Sequence, residues 1–345
     1  MELVQIKEII YDKVKKILSK FSYMSFDTPI LIIAWRRPDK VYKLLKLLSC
    51  IKPKKIYVSC DGPRENFNNE FKKVMETRKV IEKEINWDYE VLEKRFISFN
   101  QGCKEGVSNA INWFFENEEE GIILEDDILP HEDFFVFCEN MLNKFRFDER
   151  VWSVTGCNFQ KGNIRGKNSY YFSKHCHCWG WATWKRCWKE YDKDIKLWPK
   201  LKKQKILNSI FKHDYQAKYW SKIFDDFYYH QKPDTWDYPW SFCCFINGGL
   251  TVTPNFNLIE NVGFDNDATH TKIALPNLNL KLIRGKSTKV MEIEDLNHPF
   301  FVSNEEADTL MEKNHLLLYK KNILEISFEY MKKLLKKFLF FSNYR

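Results

Sequence analysis

From Pro29 to Thr155 short apolar runs alternate with stretches of helical spacing, and few folds accept that rhythm. Ile30–Ala34, set between Pro29 and Pro38, reads as a buried strand. Asp39–Ser49 follows with Val41, Leu44, Leu45 and Leu48 on one helical face. Ile56–Ser59 is the next strand and runs into a turn signal, Cys60-Asp61-Gly62-Pro63. Phe67–Ile85 reads as a helix, Phe96–Phe99 as a strand and Gly106–Glu116 as a helix. Ile122–Leu124, Glu132–Phe145 and Val151–Thr155 continue the pattern as strand, helix and strand. Strands alternating with helices predict an α/β fold, a mainly parallel sheet covered by helices on both faces. Ligands bind such sheets at the carboxyl ends of the strands. Polar residues stand in those positions here: Arg36 and Arg37, Asp61, Asn100, and Glu125-Asp126-Asp127. Beyond about residue 156 the alternation fades, and 170–270, rich in Trp, Tyr and His, is expected to supply loops and short elements that complete the site.

Both ends of the chain differ from this middle. Leu3, Ile6, Ile10, Val14, Ile17 and Phe21 share a helical stripe over 3–21, opposite Lys7, Lys13, Lys16 and Lys20. Leu324, Phe328, Met331, Leu335 and Phe338 form a second stripe, flanked by Lys332, Lys333, Lys336 and Lys337. Basic amphipathic helices suit an anionic membrane surface; packing on the body or on a second subunit is the alternative, and the oligomeric state is left open. No run of 18 apolar residues exists, so no transmembrane helix is expected. The chain therefore divides into an amphipathic helix over 1–25, a main domain over 26–275 and a basic extension over 276–345.

The net charge of +8 admits a nucleic acid, an anionic membrane or a phosphorylated ligand as partner. No nucleic-acid-binding signature accompanies it, so no nucleic-acid partner is expected. The N-terminus lacks an uninterrupted apolar stretch of the kind that directs secretion. The ten cysteines are accordingly expected to be reduced and mostly buried, in a cytoplasmic protein, at most peripheral on the inner face of the plasma membrane. His175-Cys176-His177-Cys178 has the look of a metal knuckle, but no second ligand pair follows at zinc-finger spacing.

Glu125-Asp126-Asp127 carries the most chemistry. Three adjacent carboxylates after an apolar strand repel one another unless a positive charge neutralises them, and a hard divalent cation, Mn²⁺ or Mg²⁺, suits oxygen donors. Such an ion takes one or two carboxylates and completes its shell with waters and phosphate oxygens. An acidic cap on the helix that starts near Glu132 is the competing explanation.

These segments resemble, in order, the motifs of GT-A glycosyltransferases of the N-acetylglucosaminyltransferase I family and its bacterial relatives. Glu125-Asp126-Asp127 is similar to that family's metal-binding DXD motif. Ile33-Ala34-Trp35-Arg36-Arg37-Pro38 resembles its first strand and Arg-containing turn, and Tyr57-Val58-Ser59-Cys60-Asp61-Gly62 its second strand. Val151-Trp152-Ser153-Val154-Thr155 resembles the strand after the motif helix. Cys178-Trp179-Gly180-Trp181-Ala182-Thr183-Trp184 is similar to its Gly-Trp loop, and Thr235-Trp236-Asp237-Tyr238-Pro239-Trp240 to its Trp-Asp-x-x-Trp segment.

The resemblance covers roughly 28–270 and implies a GT-A, Rossmann-like fold that moves a sugar from a nucleotide-sugar donor, UDP-linked and UDP-GlcNAc-like, to a saccharide or glycolipid acceptor with inversion. It implies that Asp127 binds the metal, that Glu125 and Asp126 contact the sugar and ribose, and that Asp61 contacts the nucleoside. Arg37 or Arg36 would meet the donor phosphates or base, where a planar guanidinium fork fits; plain surface charge is the alternative. Trp181 is placed among the donor-contacting residues and His270 near the metal. Asp237 would be the general base, with Trp236 and Trp240 excluding water; a helix-capping Asp between two packing tryptophans is the alternative. Trp179, Trp181 and Trp184 would offer faces to a sugar or fill the core. Residues 275–345 match no segment of that family.

Two other functions remain in view. A sugar-1-phosphate nucleotidylyltransferase shares the architecture but calls for a Gly-rich phosphate loop where this chain has Trp35-Arg36-Arg37-Pro38. A non-catalytic carbohydrate- or membrane-binding scaffold would use the aromatic residues alone.

Overall fold

The computed structural model describes residues 26–263, 300–316 and 318. The two amphipathic stripes, at 3–21 and 324–338, lie outside those residues, as does His270.

Eight strands form one sheet in the order β3-β2-β1-β4-β8-β6-β9-β7. β1 (Ile30–Ala34) lies between β2 (Lys55–Cys60) and β4 (Glu120–Glu125), parallel to both, and β3 (Val91–Phe96) adds a parallel edge to β2. Four strands from the later part of the chain extend the sheet: β6 (Val151–Thr155), β7 (Tyr170–Ser173), β8 (Trp181–Trp184) and β9 (Leu250–Pro254). β8 runs antiparallel between β4 and β6, β9 pairs parallel with β6, and β7 closes the far edge antiparallel to β9. The result is a mixed α/β fold whose central sheet is mainly parallel and Rossmann-like. A separate ribbon pairs β5 (Ile128–Pro130) with β10 (Ile259–Asn261).

Helices cover the sheet: α1 (Pro38–Ile51), α2 (Asn68–Glu84), α3 (Gly102–Asn117) and α4 (Glu132–Phe145) in the first half. α1 starts with Pro38 in its first turn, where a missing N–H costs nothing, and buries Val41, Leu44, Leu45 and Leu48 against the sheet. After three short helices, α5 (Lys185–Trp188), α6 (Trp198–Lys203) and α7 (Ile206–Ile210), come α8 (Asp214–His230), α9 (Asp237–Ile246) and α10 (Glu305–Asn314). Trp198, Trp220, Phe224, Phe227, Phe242 and Phe245 pack a second apolar cluster beneath α8 and α9. Most aromatic side chains among the described residues are therefore core.

Two expectations need correcting. The third strand is Val91–Phe96 rather than Phe96–Phe99, because it forms the sheet edge and exposes Glu93 and Lys94, which hides it from an apolar pattern. Residues 170–263 supply more than loops and short elements: β7, β8 and β9 join the central sheet, and α8 spans 17 residues. Part of the C-terminal extension is also built into the body. Asn304 N–H donates to the Phe172 carbonyl, and Asp308 on α10 accepts the Ser173 hydroxyl at 2.5 Å.

Candidate functional site

One cavity of ≈ 600 Å³ opens beyond the carboxyl ends of β1, β2 and β4, large enough for a cofactor-sized ligand. Arg37, Asp61, all three residues of the acidic triplet and Asp237 line it.

The triplet lies where β4 ends and the β5 ribbon begins, so Asp126 and Asp127 occupy the turn between them. Asp126 is buried and accepts the Trp35 backbone N–H at 3.2 Å. Arg37 donates to Asp127 Oδ2 at 2.6 Å, and its Nε lies 3.4 Å from Asp126. Burial lifts the Glu125 carboxyl to about 8, with Asp127 and Asp126 adding to the rise and Arg37 opposing it. Burial likewise lifts Asp126 to about 6 against the pull of Arg37. Burial works against the charge on Arg37, but Asp126 and Asp127 outweigh it and keep the guanidinium charged. Three carboxyl groups thus touch or face one guanidinium in a poorly solvated turn.

That donor set fits a hard divalent cation. Among the described residues no three His, Cys, Asp or Glu side chains are arranged to hold a metal unaided. An ion here would take one or two carboxylates of the triplet and leave positions for water and ligand oxygens, as Mg²⁺ and Mn²⁺ do. Backbone approaches from above: Val262 N–H donates to the Asp127 carbonyl, and a Cβ added to Gly263 would collide with the Asp127 carboxylate. Lys40 anchors this segment through the Val262 carbonyl at 2.7 Å.

Asp61 lines the cavity, but its oxygens are already engaged. They accept the backbone N–H groups of Gly62 and Gln101 and the side-chain amide of Asn100 at 2.8–3.1 Å. Asp61 therefore ties the end of β2 to the start of α3. Burial raises its carboxyl above the usual range against those backbone donors. Arg36 does not line the cavity: it pairs with Glu70 at 2.5 Å and lies over the Trp35 ring at 4.3 Å. Of the two arginines, only Arg37 faces the triplet.

Asp237 is the first residue of α9 and accepts the Thr235 hydroxyl. Burial raises its carboxyl, the Thr235 bond opposes the rise, and the charge of nearby Cys176 adds to it. Glu125 also feels the charge of Asp237, and both line the cavity. Asp234, three residues earlier, accepts the backbone N–H groups of Cys103 and Lys104 and so caps α3. Gly102 takes φ +80° there, and a Cβ on it would meet Asp234 Oδ2 at 2.8 Å.

Trp181 is not a cavity residue. It sits in β8, 1% exposed, stacked on Trp236 at 5.4 Å and packed on Trp240 at 5.5 Å. Strand alternation between β4 and β6 turns its ring into the core. Trp184, Trp236 and Trp240 are likewise buried there, with Trp236 at the cavity's border, whereas Trp179 is half-buried and lines the cavity. In the His-Cys-His-Cys loop, His175 Nε2 pairs with Glu312 of α10 at 2.9 Å, and His177 sits 4.8 Å from the Phe159 ring. None of the ten cysteines forms a disulfide.

Several cavity residues escaped sequence reasoning: Trp35, Gln101, Asp234, Phe159, Gly263 and His315. Lys232-Pro233-Asp234 is a turn signal that places an Asp near a helix start. Nothing in the sequence points to His315, which reaches the cavity from a segment far along the chain.

No family model matches this chain, and no curated protein does. Among solved structures it is similar to a glucose-1-phosphate thymidylyltransferase from Bacillus anthracis in complex with sucrose. That match has 8% identity and a TM-score of 0.31, covering 49% of this chain and 75% of the other. It is also similar to a 4-diphosphocytidyl-2C-methyl-D-erythritol synthase from Anaerococcus prevotii, at 11% identity and a TM-score of 0.30, covering 60% of this chain and 85% of the other. Likenesses this loose say nothing about the chemistry of this chain.

Proposed function

We propose that this chain is a metal-dependent glycosyltransferase of GT-A type that transfers a sugar with inversion from a UDP-linked donor to a saccharide or glycolipid acceptor. One observation carries the reading: a single cavity at the strand ends gathers Arg37, the acidic triplet and Asp237. Arg37 supplies the fork for a diphosphate, and the triplet supplies oxygen donors for Mn²⁺ or Mg²⁺. When bound, such an ion lends Lewis-acid charge to the departing diphosphate.

Asp237 takes the proton from the acceptor hydroxyl as that oxygen bonds to the anomeric carbon. The bond from that carbon to the diphosphate breaks, and its electrons leave with the diphosphate. A carboxyl raised by burial is a stronger base than one in water, which favours this role near neutral pH. Thr235 orients it by hydrogen bond. Trp179 and Trp236 narrow the access of water, which favours transfer over hydrolysis.

The test is thermal stability with UDP, GDP, CMP and dTDP, each with and without Mn²⁺, on wild type and Asp127→Ala. A ligand at a hundred times its dissociation constant adds about 2.7 kcal/mol. The expected result is a metal-dependent rise with UDP that Asp127→Ala abolishes. No rise with any nucleotide overturns the proposal. A response only to a nucleoside triphosphate together with a sugar 1-phosphate would point to a nucleotidylyltransferase instead.

A further inference from the structure

The cavity has a second wall unlike the first. It is built by Phe159, His177 and Trp179, together with His315 just past the end of α10. The His315 ring stacks on Phe159 at 4.2 Å and 20°, and it stands edge-on to Trp179 at 5.4 Å and to His177 at 6.2 Å. Phe159 also meets Trp179 at 5.8 Å, so the rings close into a corner. No carboxylate, Lys or Arg is among these four residues.

His315 is placed for directed hydrogen bonding. Its Nδ1 is buried without a hydrogen-bond partner among the described residues. A sealed N–H without a partner is costlier than a bare lone pair, so the proton of the neutral ring belongs on Nε2. Burial and the neighbouring His175 push the imidazolium down to about 4, so the ring is neutral near pH 7. Since Nδ1 is closed off, the edge carrying Nε2 is the one His315 can offer the cavity. Burial lowers His177 in the same way, with His315 and His175 adding to the effect. Neutral donors beside aromatic rings suit a hydroxylated, uncharged ligand far better than a phosphate.

The position fits as well. Asp237 lines the cavity together with Glu125 on one hand and with Cys176 and His177 on the other. Asp237 thus shares one cavity with the acidic triplet and the aromatic corner.

We propose that Phe159, His177, Trp179 and His315 form a saccharide subsite, with the C–H face of a pyranose on Trp179 and a sugar hydroxyl accepting the His315 Nε2–H. Its assignment to the acceptor rests on the glycosyltransferase reading, because the acceptor must reach Asp237 from the side opposite the donor. Binding of a sugar there does not depend on that reading.

The experiment is saturation-transfer NMR on the full chain with the methyl glycosides of glucose, galactose, N-acetylglucosamine and rhamnose, with and without UDP and Mn²⁺. At least one glycoside is expected to receive saturation at its ring protons, and saturating UDP with Mn²⁺ should not displace it. Trp179→Ala should abolish the signal. His315→Phe keeps the stack on Phe159 and should weaken binding about tenfold, the loss of one hydrogen bond, with the thermal midpoint at pH 7 unchanged. The proposal is overturned if no glycoside receives saturation, if UDP with Mn²⁺ displaces every one that does, or if His315→Phe binds as tightly as wild type. Glycoside binding by a protein that ignores every nucleotide would keep the saccharide site and remove its acceptor role. Nucleotide binding without glycoside binding would remove the subsite alone.

Discussion

Asp234 Oδ2 lies 3.0 Å from the backbone nitrogen of Cys103, and its other oxygen lies 3.1 Å from that of Lys104. One carboxylate therefore joins the start of α3, beside Asp61, to the turn that carries Asp237. Asp234→Ala should cost about 1 kcal/mol of stability, the usual worth of a helix cap. It should lower transfer far more than so small a loss explains, because Asp237 would lose its fixed distance from the triplet. Denaturant melts beside initial rates check both. A rate loss no larger than that of another exposed cap variant would remove Asp234 from the positioning of the site.

Among the described residues, Arg37 is the one guanidinium in contact with the triplet. Arg37→Ala leaves buried carboxylates without their partner and should destabilise the metal-free protein by roughly 3 kcal/mol. Millimolar Mn²⁺ should restore much of that loss. Calorimetry of the variant with and without metal gives the answer, and a deficit indifferent to Mn²⁺ argues against an ion at the triplet.

Gly263 allows backbone to rest against the Asp127 carboxylate. Gly263→Ala should displace that carboxylate and weaken the Mn²⁺-dependent response to UDP by tenfold or more, while the fold remains. Titration calorimetry with UDP and Mn²⁺ measures it; wild-type affinity would show that the carboxylate can yield without cost.

Asp237→Asn removes the proposed base while keeping its shape. Transfer should fall by about 10²–10⁴-fold, with UDP and Mn²⁺ still bound. Product from the wild type should carry the inverted anomeric configuration; retention would exclude Asp237 from the assigned role.

His315 gives the protein an acid sensitivity of definite sign. Its folded value of about 4 lies below the ordinary 6.5, so between those limits the unfolded chain binds more protons. Stability must then rise with pH across that window and fall as pH drops from 6.5 towards 4. His315→Phe cannot take up the proton, and its stability should vary less over the same range. Melts at pH 4.5, 5.5 and 7 compare the two proteins.

Much of this architecture is legible in the chain. The apolar runs at Ile30–Ala34 and Ile122–Leu124 sit in strands buried on both faces, so nothing in their pattern competes with the strand reading. The triplet and Arg37 follow because polar groups just past such strands face the crevice. β3 is hidden by the charged face of an edge strand, and β8 because four residues are too few to show a period. Trp181 and Trp179 lie two residues apart in one Trp-rich stretch, yet one is core and the other wall. Only the pairing of β8 with β4 and β6 tells them apart.

β8 is supplied some sixty residues after β4, yet it lies between β4 and β6. While the chain is being synthesised, β4 is made well before the neighbour that covers its free edge. The acidic turn must wait longer, for Gly263, and the aromatic corner for His315. Contacts of such separation form slowly and leave apolar edges open meanwhile. The cavity is thus a late product of folding, and a nascent chain halted before β8 should seek chaperones rather than ligand.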